Sequence, residues 1–279
     1  MHDLNNKEAL LLARETNTDV LMKEASELTY QGFGSFITYS PKVFIPLTHL
    51  CRDVCHYCTF AKTPKRNNKP PYMSIQDVVD LTKKAEKSGC KEALFTLGER
   101  PELRYSTARK ALHELGHENT LRYLQSVAEA VLSETNLLPH LNPGCMDLEE
   151  LDYLKPVSAS MGIMLENSSE RLSERGGPHF GSPDKQPKRR LEAIRNAGLK
   201  KIPFTTGILI GIGETRLERI QSLLDIRELH SRYGHIQEVI IQNFRPKPDT
   251  KMSNHEAPLV EDLLWTIAIA RLIFGSSMS

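Results

Sequence analysis

Short runs rich in β-branched and aromatic residues alternate along the chain with stretches whose apolar residues recur three and four apart. "KVFIPLTH" (42–49) is the first short run. "EALFTLG" (92–98), "LLPHLNPG" (137–144), "VSASMGIML" (157–165), "IPFTTGILIG" (202–211) and "IQEVIIQNF" (236–244) follow it. Each predicts a strand, because each is strand-length and bounded by turn residues. "SIQDVVDLTKKAEKSG" (74–89) opens on Ser, places apolar residues at 75, 78, 79 and 81, and closes on Gly. That pattern predicts a capped helix. Helices are likewise predicted over "NTLRYLQSVAEAVLSET" (119–135), "DLEELDYL" (147–154), "PKRRLEAIRNAG" (187–198), "TRLERIQSLLDIRELHSRYG" (215–234) and "PLVEDLLWTIAIARLIF" (258–274). Six strand–helix units in regular alternation predict a parallel sheet with crossover helices. The expected fold is α/β, a partial (βα)6 barrel of TIM type. It forms one domain over 1–279, with a helical lead-in over 1–35 and a core over about 42–275. Strands seven and eight of a full barrel have no counterpart.

Composition narrows the function classes. The 36 Lys and Arg against 35 Asp and Glu give a net charge of +1, so no global field attracts nucleic acid or an acidic membrane. The start, "MHDLNNKEALLLARE", carries charge where a signal peptide needs an apolar run. The longest apolar run, "LLWTIAIARLIF" (263–274), is 12 residues and contains Arg271. It is too short to span a bilayer and reads as a buried helix. Five cysteines, three of them clustered, indicate a metal or redox site in a reducing compartment, the cytoplasm, and not a disulfide framework.

The clustered thiols are Cys51, Cys55 and Cys58 in "CRDVCHYC", just after the first strand. A structural zinc site ordinarily takes four ligands. A four-iron cluster held by three thiolates keeps one iron without a protein ligand. A parallel barrel also carries its chemistry in the loops at the C-terminal ends of its strands, which is where Cys51 falls.

The spacing C-x3-C-x2-C, at the end of strand one and followed by further βα units, resembles the radical S-adenosylmethionine (radical SAM) enzymes. The resemblance implies one 4Fe–4S cluster on Cys51, Cys55 and Cys58, with SAM chelating the open iron through its amino and carboxylate groups. It places Tyr57 against adenine. "TLGERPE" (96–102) resembles the family's Gly-Gly-Glu element, implying that Gly98 and Glu99 hold the SAM amino group, although Leu97 stands where the first glycine is expected. A glycine turn with a solvated Glu99 is the other reading. Glu166 in "MLENSSERL" falls where the family places a polar SAM contact. A helix N-terminal box capped by Ser168 or Ser169 is compatible with that. Gly207, Ile208 and Gly211 in "GILIGIGET" offer the close backbone approach that adenine needs. That string is no dinucleotide fingerprint, because Arg216 replaces its last glycine.

Longer strings narrow the resemblance. "ITYSPKVFIPLTHLCRDVCHYCTFAK", "LFTLGERPE", "LLPHLNPGCM", "SMGIMLENSSERL", "GGPHFGSPDKQPKRRLEAI" and "IPFTTGILIGIGET" closely resemble the CofG-type subunits of deazaflavin (FO) synthase. That implies a radical SAM lyase of coenzyme F420 biosynthesis. It would form 7,8-didemethyl-8-hydroxy-5-deazariboflavin from a hydroxybenzyl–ribitylaminouracil adduct, with loss of ammonia. The implied partners are the small-molecule substrate, a companion CofH subunit and a ferredoxin- or flavodoxin-type reductant, with no nucleic acid and no membrane. Tyr39, His140, Asn142 and Arg245 are candidate substrate contacts for which core or loop roles stay equally open, and no catalytic residue is assigned. Cys90 and Cys145 read as packed thiols. "KQPKRR" (185–190) reads as a solvated helix start, with a phosphate or partner contact as the other reading. "KTPKRNNK" (62–69) reads as either a lid or a solvated loop. The family continues past the sixth helix where this chain ends in "LIFGSSMS", so a C-terminal truncation that opens the substrate chamber is expected. A biotin-synthase-like radical SAM enzyme and an inactive, truncated metal-binding fragment remain the alternatives.

Overall fold

A computed structural model describes residues 4–66 and 69–279. Six strands pair in parallel in the order of the chain: β1 (Lys42–Ile45), β2 (Glu92–Thr96), β3 (Leu138–Asn142), β4 (Ser160–Gly162), β5 (Phe204–Ile210) and β6 (Ile236–Asn243). The order never reverses, so the sheet has no switch point of the doubly wound kind. It is the wall of a barrel left open between β1 and β6.

Helices cross between successive strands. α1 (Asn6–Leu11) and α2 (Thr18–Phe33) form the predicted lead-in, whose residues 1–3 lie outside the described residues. α3 (Ile75–Lys87), α4 (Ser106–Glu114), α5 (Thr120–Glu134), α6 (Leu148–Leu154), α7 (Pro187–Leu199), α8 (Arg216–Tyr233) and α9 (Val260–Phe274) complete the set. The caps are those the sequence supplies. Ser74 accepts from the amide of Asp77 at 3.1 Å, and Asp147 and Thr215 form reciprocal boxes with Glu150 and Glu218. α4 has no counterpart in the predicted elements. Its sequence is mostly polar and buries only Ala108 and Leu112, too sparse a stripe to register as periodicity.

Every strand is shorter than its predicted run, β1 and β4 most of all. β1 stops before Pro46, which has no N–H to give the ladder, and the chain turns there, with the Leu47 amide on the Ile45 carbonyl at 3.0 Å. β4 is regular for three residues, but its contacts with β5 continue from the Ile163 amide to the Thr205 carbonyl at 3.0 Å and through a Glu166–Ile208 bridge.

Alternation assigns the two faces of the wall. Ile45, Ala93, Phe95, Leu141, Met161, Phe204 and Ile208 point outward into the core beneath the helices. On the other face Phe44 pairs with Leu94, Leu94 with His140, His140 with Ser160, and Gly207 with Ile240. The interior of a closed eight-stranded barrel is filled by side chains. Here Phe44 is 49% and Ile240 37% exposed, so the interior is hollow. The apolar run of α9 packs on α2 and buries Trp265, Ile269 and Ile273, as expected of a core helix, while Leu264 and Ile267 on its far side stay exposed.

The start of α8 is tied to the loop after β4 through Glu218. Its carboxylate accepts from Ser169 Oγ at 2.6 Å, from Arg171 Nη2 at 2.7 Å and from the Thr215 amide at 2.7 Å. Burial pulls this carboxyl up, but Arg171, Ser169 and Thr215 outweigh burial and hold it at about 2. A carboxyl lowered on folding stabilises above its unfolded value, about 4.3, and that stability is lost as pH falls toward 2. Acid titration of the melting temperature should therefore show a decline between about pH 4.5 and 2 that is shallower in Glu218→Gln.

Candidate functional site

The loop after β1 carries the three cysteines, and two other loops hold it in place. From the β2 side, the Gly98 amide donates to the Thr48 carbonyl at 2.9 Å, and the Arg52 amide donates to the Glu99 carbonyl at 2.9 Å. The Glu99 amide points at Cys51 Sγ, 3.2 Å away. Gly98 is required by this contact: a Cβ there would stand 1.9 Å from the Leu50 carbonyl oxygen and 2.9 Å from Cys51 Cβ. From the other side, residues 178–184 run along the loop. His56 N–H donates to the Pro178 carbonyl at 2.9 Å and Val54 N–H to Ser182 Oγ at 3.0 Å. The Asp184 amide donates to Asp53 at 3.2 Å, and the Asp184 carboxylate receives the Arg52 guanidinium.

The spacing of the thiols bears on the metal they suit. Among the described residues, one group of three His, Cys, Asp or Glu ligand atoms lies within 4.8 Å of one another, and it is Glu99, Cys145 and Asp184. Cys51, Cys55 and Cys58 are wider apart than that. A single tetrahedral zinc at 2.3 Å from each sulfur draws thiolates to within about 4 Å. Ligands to separate irons of one cluster stand farther apart, so the donor set fits a cluster. The Glu99, Cys145 and Asp184 group is already compensated: Arg190 reaches Glu99 at 3.4 Å, and Arg52 and Arg189 both pair with Asp184. Burial pushes the Cys51 thiol up to about 12 and raises Cys55 as well. A metal overturns that preference by replacing the proton.

Tyr57 packs among Leu172, Leu209, Ile212, Phe244 and Met252, and its hydroxyl meets His179 Nε2 at 3.0 Å. Burial holds His179 down at about 4, so this partner is neutral. Glu166, at the end of β4, has φ +66°, a left-handed conformation that costs a non-glycine residue about 1 kcal/mol or more. Hydrogen bonds on both sides enforce it, from its amide to the Gly207 carbonyl at 3.1 Å and from the Leu209 amide to its own carbonyl at 2.9 Å. Its side chain pairs with Lys185. Burial alone would raise the Glu166 carboxyl, but Lys185 and Arg190 outweigh it and keep Glu166 below the ordinary range.

Several expectations change here. Glu99 is not solvated: it is buried, accepts from the Cys145 amide at 2.6 Å and faces Arg190. "KQPKRR" is not a solvated helix start. Lys185 is half-buried and Arg190 buried, both pointing into the site, and of the basic pair at its end only Arg189 is exposed. Ser169 does not cap the turn that follows it, because its hydroxyl is spent on Glu218. Ile208 turns its side chain into the outer core, so it offers the site only its backbone. The Gly211 amide is taken by Glu214 Oε1 at 2.8 Å. Its φ of +88° and the Pro258 ring, 2.5 Å from where a Cβ would be, are what require glycine there. Cys145 is buried and Cys90 half-buried, as packed thiols are. Tyr39 is 89% exposed and precedes β1, at the opposite end of the strand from the cysteines, and Arg245 is also exposed. His140 and Asn142 lie on the inner face of β3. In the loop 62–69, Pro64–Arg66 form a 3-10 turn, while Asn67 and Asn68 lie outside the described residues. Sequence reasoning assigned no site role to His179, Lys185 or Arg190; the only signal for the two basic residues was the charge-rich string that contains them.

Residues 45–226 match the model of the radical SAM superfamily. This chain belongs to the radical SAM superfamily. That family implies a 4Fe–4S cluster and SAM. The chain is also 50% identical over 237 residues to the 7,8-didemethyl-8-hydroxy-5-deazariboflavin synthase of Methanopyrus kandleri, covering 85% of this chain and 71% of that protein. It therefore belongs to that synthase family. It is 52% identical over 246 residues to FO synthase of Mycobacterium tuberculosis (strain ATCC 25618 / H37Rv), covering 87% of this chain but 29% of that protein. This radical SAM chain thus spans less than a third of the mycobacterial relative. Among solved structures, the FeFe-hydrogenase maturase HydG from Carboxydothermus hydrogenoformans superposes with a TM-score of 0.76 at 20% identity over 98% of this chain and 60% of that one. Methylornithine synthase (PylB) gives 0.75 at 19% identity over 99% of this chain and 74% of that one. At these identities the likeness concerns the fold. Among the described residues, no helix is long and apolar enough to cross a membrane.

Proposed function

We propose that this chain forms 7,8-didemethyl-8-hydroxy-5-deazariboflavin by radical SAM chemistry. The substrate is the hydroxybenzyl–ribitylaminouracil adduct supplied by a CofH-type companion, and ammonia is lost on ring closure. The observation that carries this reading is the 50% identity to the Methanopyrus kandleri synthase over most of both chains. Cys51, Cys55 and Cys58 would hold one 4Fe–4S cluster with SAM beside it, and the pair would supply one-electron, radical chemistry able to abstract hydrogen.

The protein's part is to hold and to shield. Gly98 lets the β2 loop close on the cysteines, and the Glu99 amide supports the Cys51 thiolate. Tyr57, fixed by His179, presents an aromatic face for adenine. Glu166, Lys185 and Arg190 form a buried charged group beside it, suited to the ribose hydroxyls and carboxylate of SAM. The backbone of Gly207, Ile208 and Gly211 borders the same space. The hollow interior keeps the reacting carbon close to the 5′ position and away from water. A cleft that opens on the three cysteines is lined by Lys62, Arg66, Arg104 and Lys251, which suits an acidic ferredoxin- or flavodoxin-type electron carrier.

Glu166→Ala should weaken SAM binding about tenfold or more, since it strands the half-buried Lys185 and removes a charge-assisted acceptor. Cluster absorption should be retained. Equilibrium binding of SAM to reconstituted protein checks this, and unchanged affinity would remove Glu166 from the site. The function itself is tested by giving anaerobically reconstituted protein the CofH-type adduct, SAM and a reductant. Mass spectrometry should find the deazaflavin and 5′-deoxyadenosine. 5′-Deoxyadenosine without deazaflavin would leave the radical SAM assignment standing and sink the substrate.

A further inference from the structure

The inner face of the barrel wall is amphipathic in a way a packed interior would not be. Lys42 and Glu92 pair at 3.0 Å across β1 and β2. His140 Nδ1 and Ser160 Oγ meet at 2.8 Å across β3 and β4. Thr205 Oγ1 donates to Glu238 at 3.4 Å across β5 and β6. Between these polar pairs the same face carries Phe44, Leu94 and Ile240. Filled barrel interiors are dominated by bulky apolar side chains. A hollow interior with paired polar groups on an apolar wall is built to receive something with both kinds of surface.

One polar atom on this face is left over. His140 is 5% exposed, its Nδ1 is committed to Ser160, and its Nε2 has no hydrogen-bond partner among the described residues. This Nε2 is not one of the fully buried unpaired atoms, such as Thr206 Oγ1, so it keeps contact with the open interior and is accessible to a ligand. The space in front of it is kept clear by Gly162, the inner-face neighbour two residues after Ser160. A Cβ at 162 would stand 3.1 Å from His140 Nε2 and 3.0 Å from the Thr205 carbonyl oxygen. Gly162 is not among the positive-φ glycines, so its backbone conformation does not call for glycine; the open space does.

Burial, with Lys42 adding to it, holds His140 down at about 4, so the imidazole is neutral at working pH. The Ser160 hydroxyl can rotate to donate to Nδ1 or accept from it, which leaves Nε2 free to act as donor or as acceptor. Such an atom suits an uncharged group with carbonyls and N–H donors, because the imidazole is neutral and the neighbouring Lys42–Glu92 pair carries no net charge to attract an ion.

We propose that His140 is the hydrogen-bonding anchor of a substrate site in the barrel interior, taking the pyrimidinedione edge of an amphipathic ligand whose aromatic end lies on Phe44, Leu94 and Ile240. The identity of that ligand rests on the deazaflavin reading; the anchor and its site rest on the geometry of the wall. The test is an anaerobic equilibrium titration of the cluster-reconstituted full chain with the hydroxybenzyl–ribitylaminouracil adduct, in native protein, His140→Phe, His140→Gln and Gly162→Ala. Cluster absorption and melting temperature confirm that each variant is folded. The expected result is binding weakened about tenfold or more in His140→Phe, recovered to within about threefold of native in His140→Gln, which keeps a donor and an acceptor, and weakened in Gly162→Ala, which closes the space. Equal affinity of native protein and His140→Phe overturns the proposal, as does native protein that does not bind the adduct. Deazaflavin formation by native protein is scored separately. Anchor-dependent binding without deazaflavin supports the site and contradicts the proposed reaction, whereas deazaflavin formed with native affinity in His140→Phe supports the reaction and contradicts the anchor.

Discussion

Arg190→Met should lower the melting temperature by roughly 10 °C, the largest stability effect expected of a single side chain in this site. Arg190 ties both ends of the loop after β4 to the loop after β2. Its Nε donates to the Asp184 carbonyl at 2.8 Å, its Nη1 to the Met164 carbonyl at 2.8 Å, and its Nη2 faces Glu99 at 3.4 Å. Both members of the Arg190–Glu99 pair are almost wholly buried. Removing one partner of a buried pair strands the other charge, at about 3–5 kcal/mol, and each kcal/mol is worth about 2–4 °C in a chain of this size. The pH dependence has a definite sign. Burial raises the Glu99 carboxyl even against Arg190, and without Arg190 it rises further. A carboxyl raised on folding binds its proton more tightly in the folded state, so it favours folding as pH falls. The deficit of Arg190→Met should therefore be smaller at pH 5.5 than at pH 8. The double variant Arg190→Met/Glu99→Gln should lose less than the sum of the singles. A melting shift of less than about 2 °C would show that Arg190 does not bridge these loops.

Replacing Cys51, Cys55 or Cys58 by alanine should abolish the iron–sulfur chromophore. Each supplies one corner ligand, and the further thiol near the site, Cys145, is turned to the Asp184 carbonyl. Cys90→Ala and Cys145→Ala should keep it. Cys145 is the sharper control because it is buried among charged groups close to the site. Burial and Glu99 raise its thiol to about 12, so it stays protonated and packed. Iron content per chain after anaerobic reconstitution, with the visible absorption of the thiolate-bound cluster, reads all five variants. Full iron content in a triple Cys51/Cys55/Cys58 variant would end the assignment, and loss of iron in Cys145→Ala alone would redraw the ligand set.

Six strands were legible because each is a short β-rich run closed by turn residues, and their sequential parallel order followed from the regular alternation with helices. The ends were less legible. The run 42–49 stays apolar past Pro46, yet the ladder stops there for want of an N–H, and polar α4 buries too little to show a period. The cysteine loop was visible from its spacing alone. The charges around it were not. Lys185 pairs with Glu166 across 19 residues and Arg190 with Glu99 across 91, and a basic string such as "KQPKRR" reads as solvated until its partners come together. Alternation puts Gly207 and Leu209 on one face of β5 and Ile208 on the other, so of Ile208 only the backbone, as the sequence reading has it, is available to the site. His140 and Tyr39 looked equivalent in the sequence. The register separates them, placing one inside the wall and the other in solvent before β1.

The account stands on a cluster with one iron open to SAM. The most direct test is electron paramagnetic resonance of the reduced, reconstituted protein with and without SAM labelled at its amino nitrogen. The expected result is the signal of a reduced 4Fe–4S cluster that changes when SAM is added and shows hyperfine coupling to the labelled nitrogen. A cluster signal indifferent to SAM, or reconstituted protein that holds zinc and gives no such signal, would contradict it.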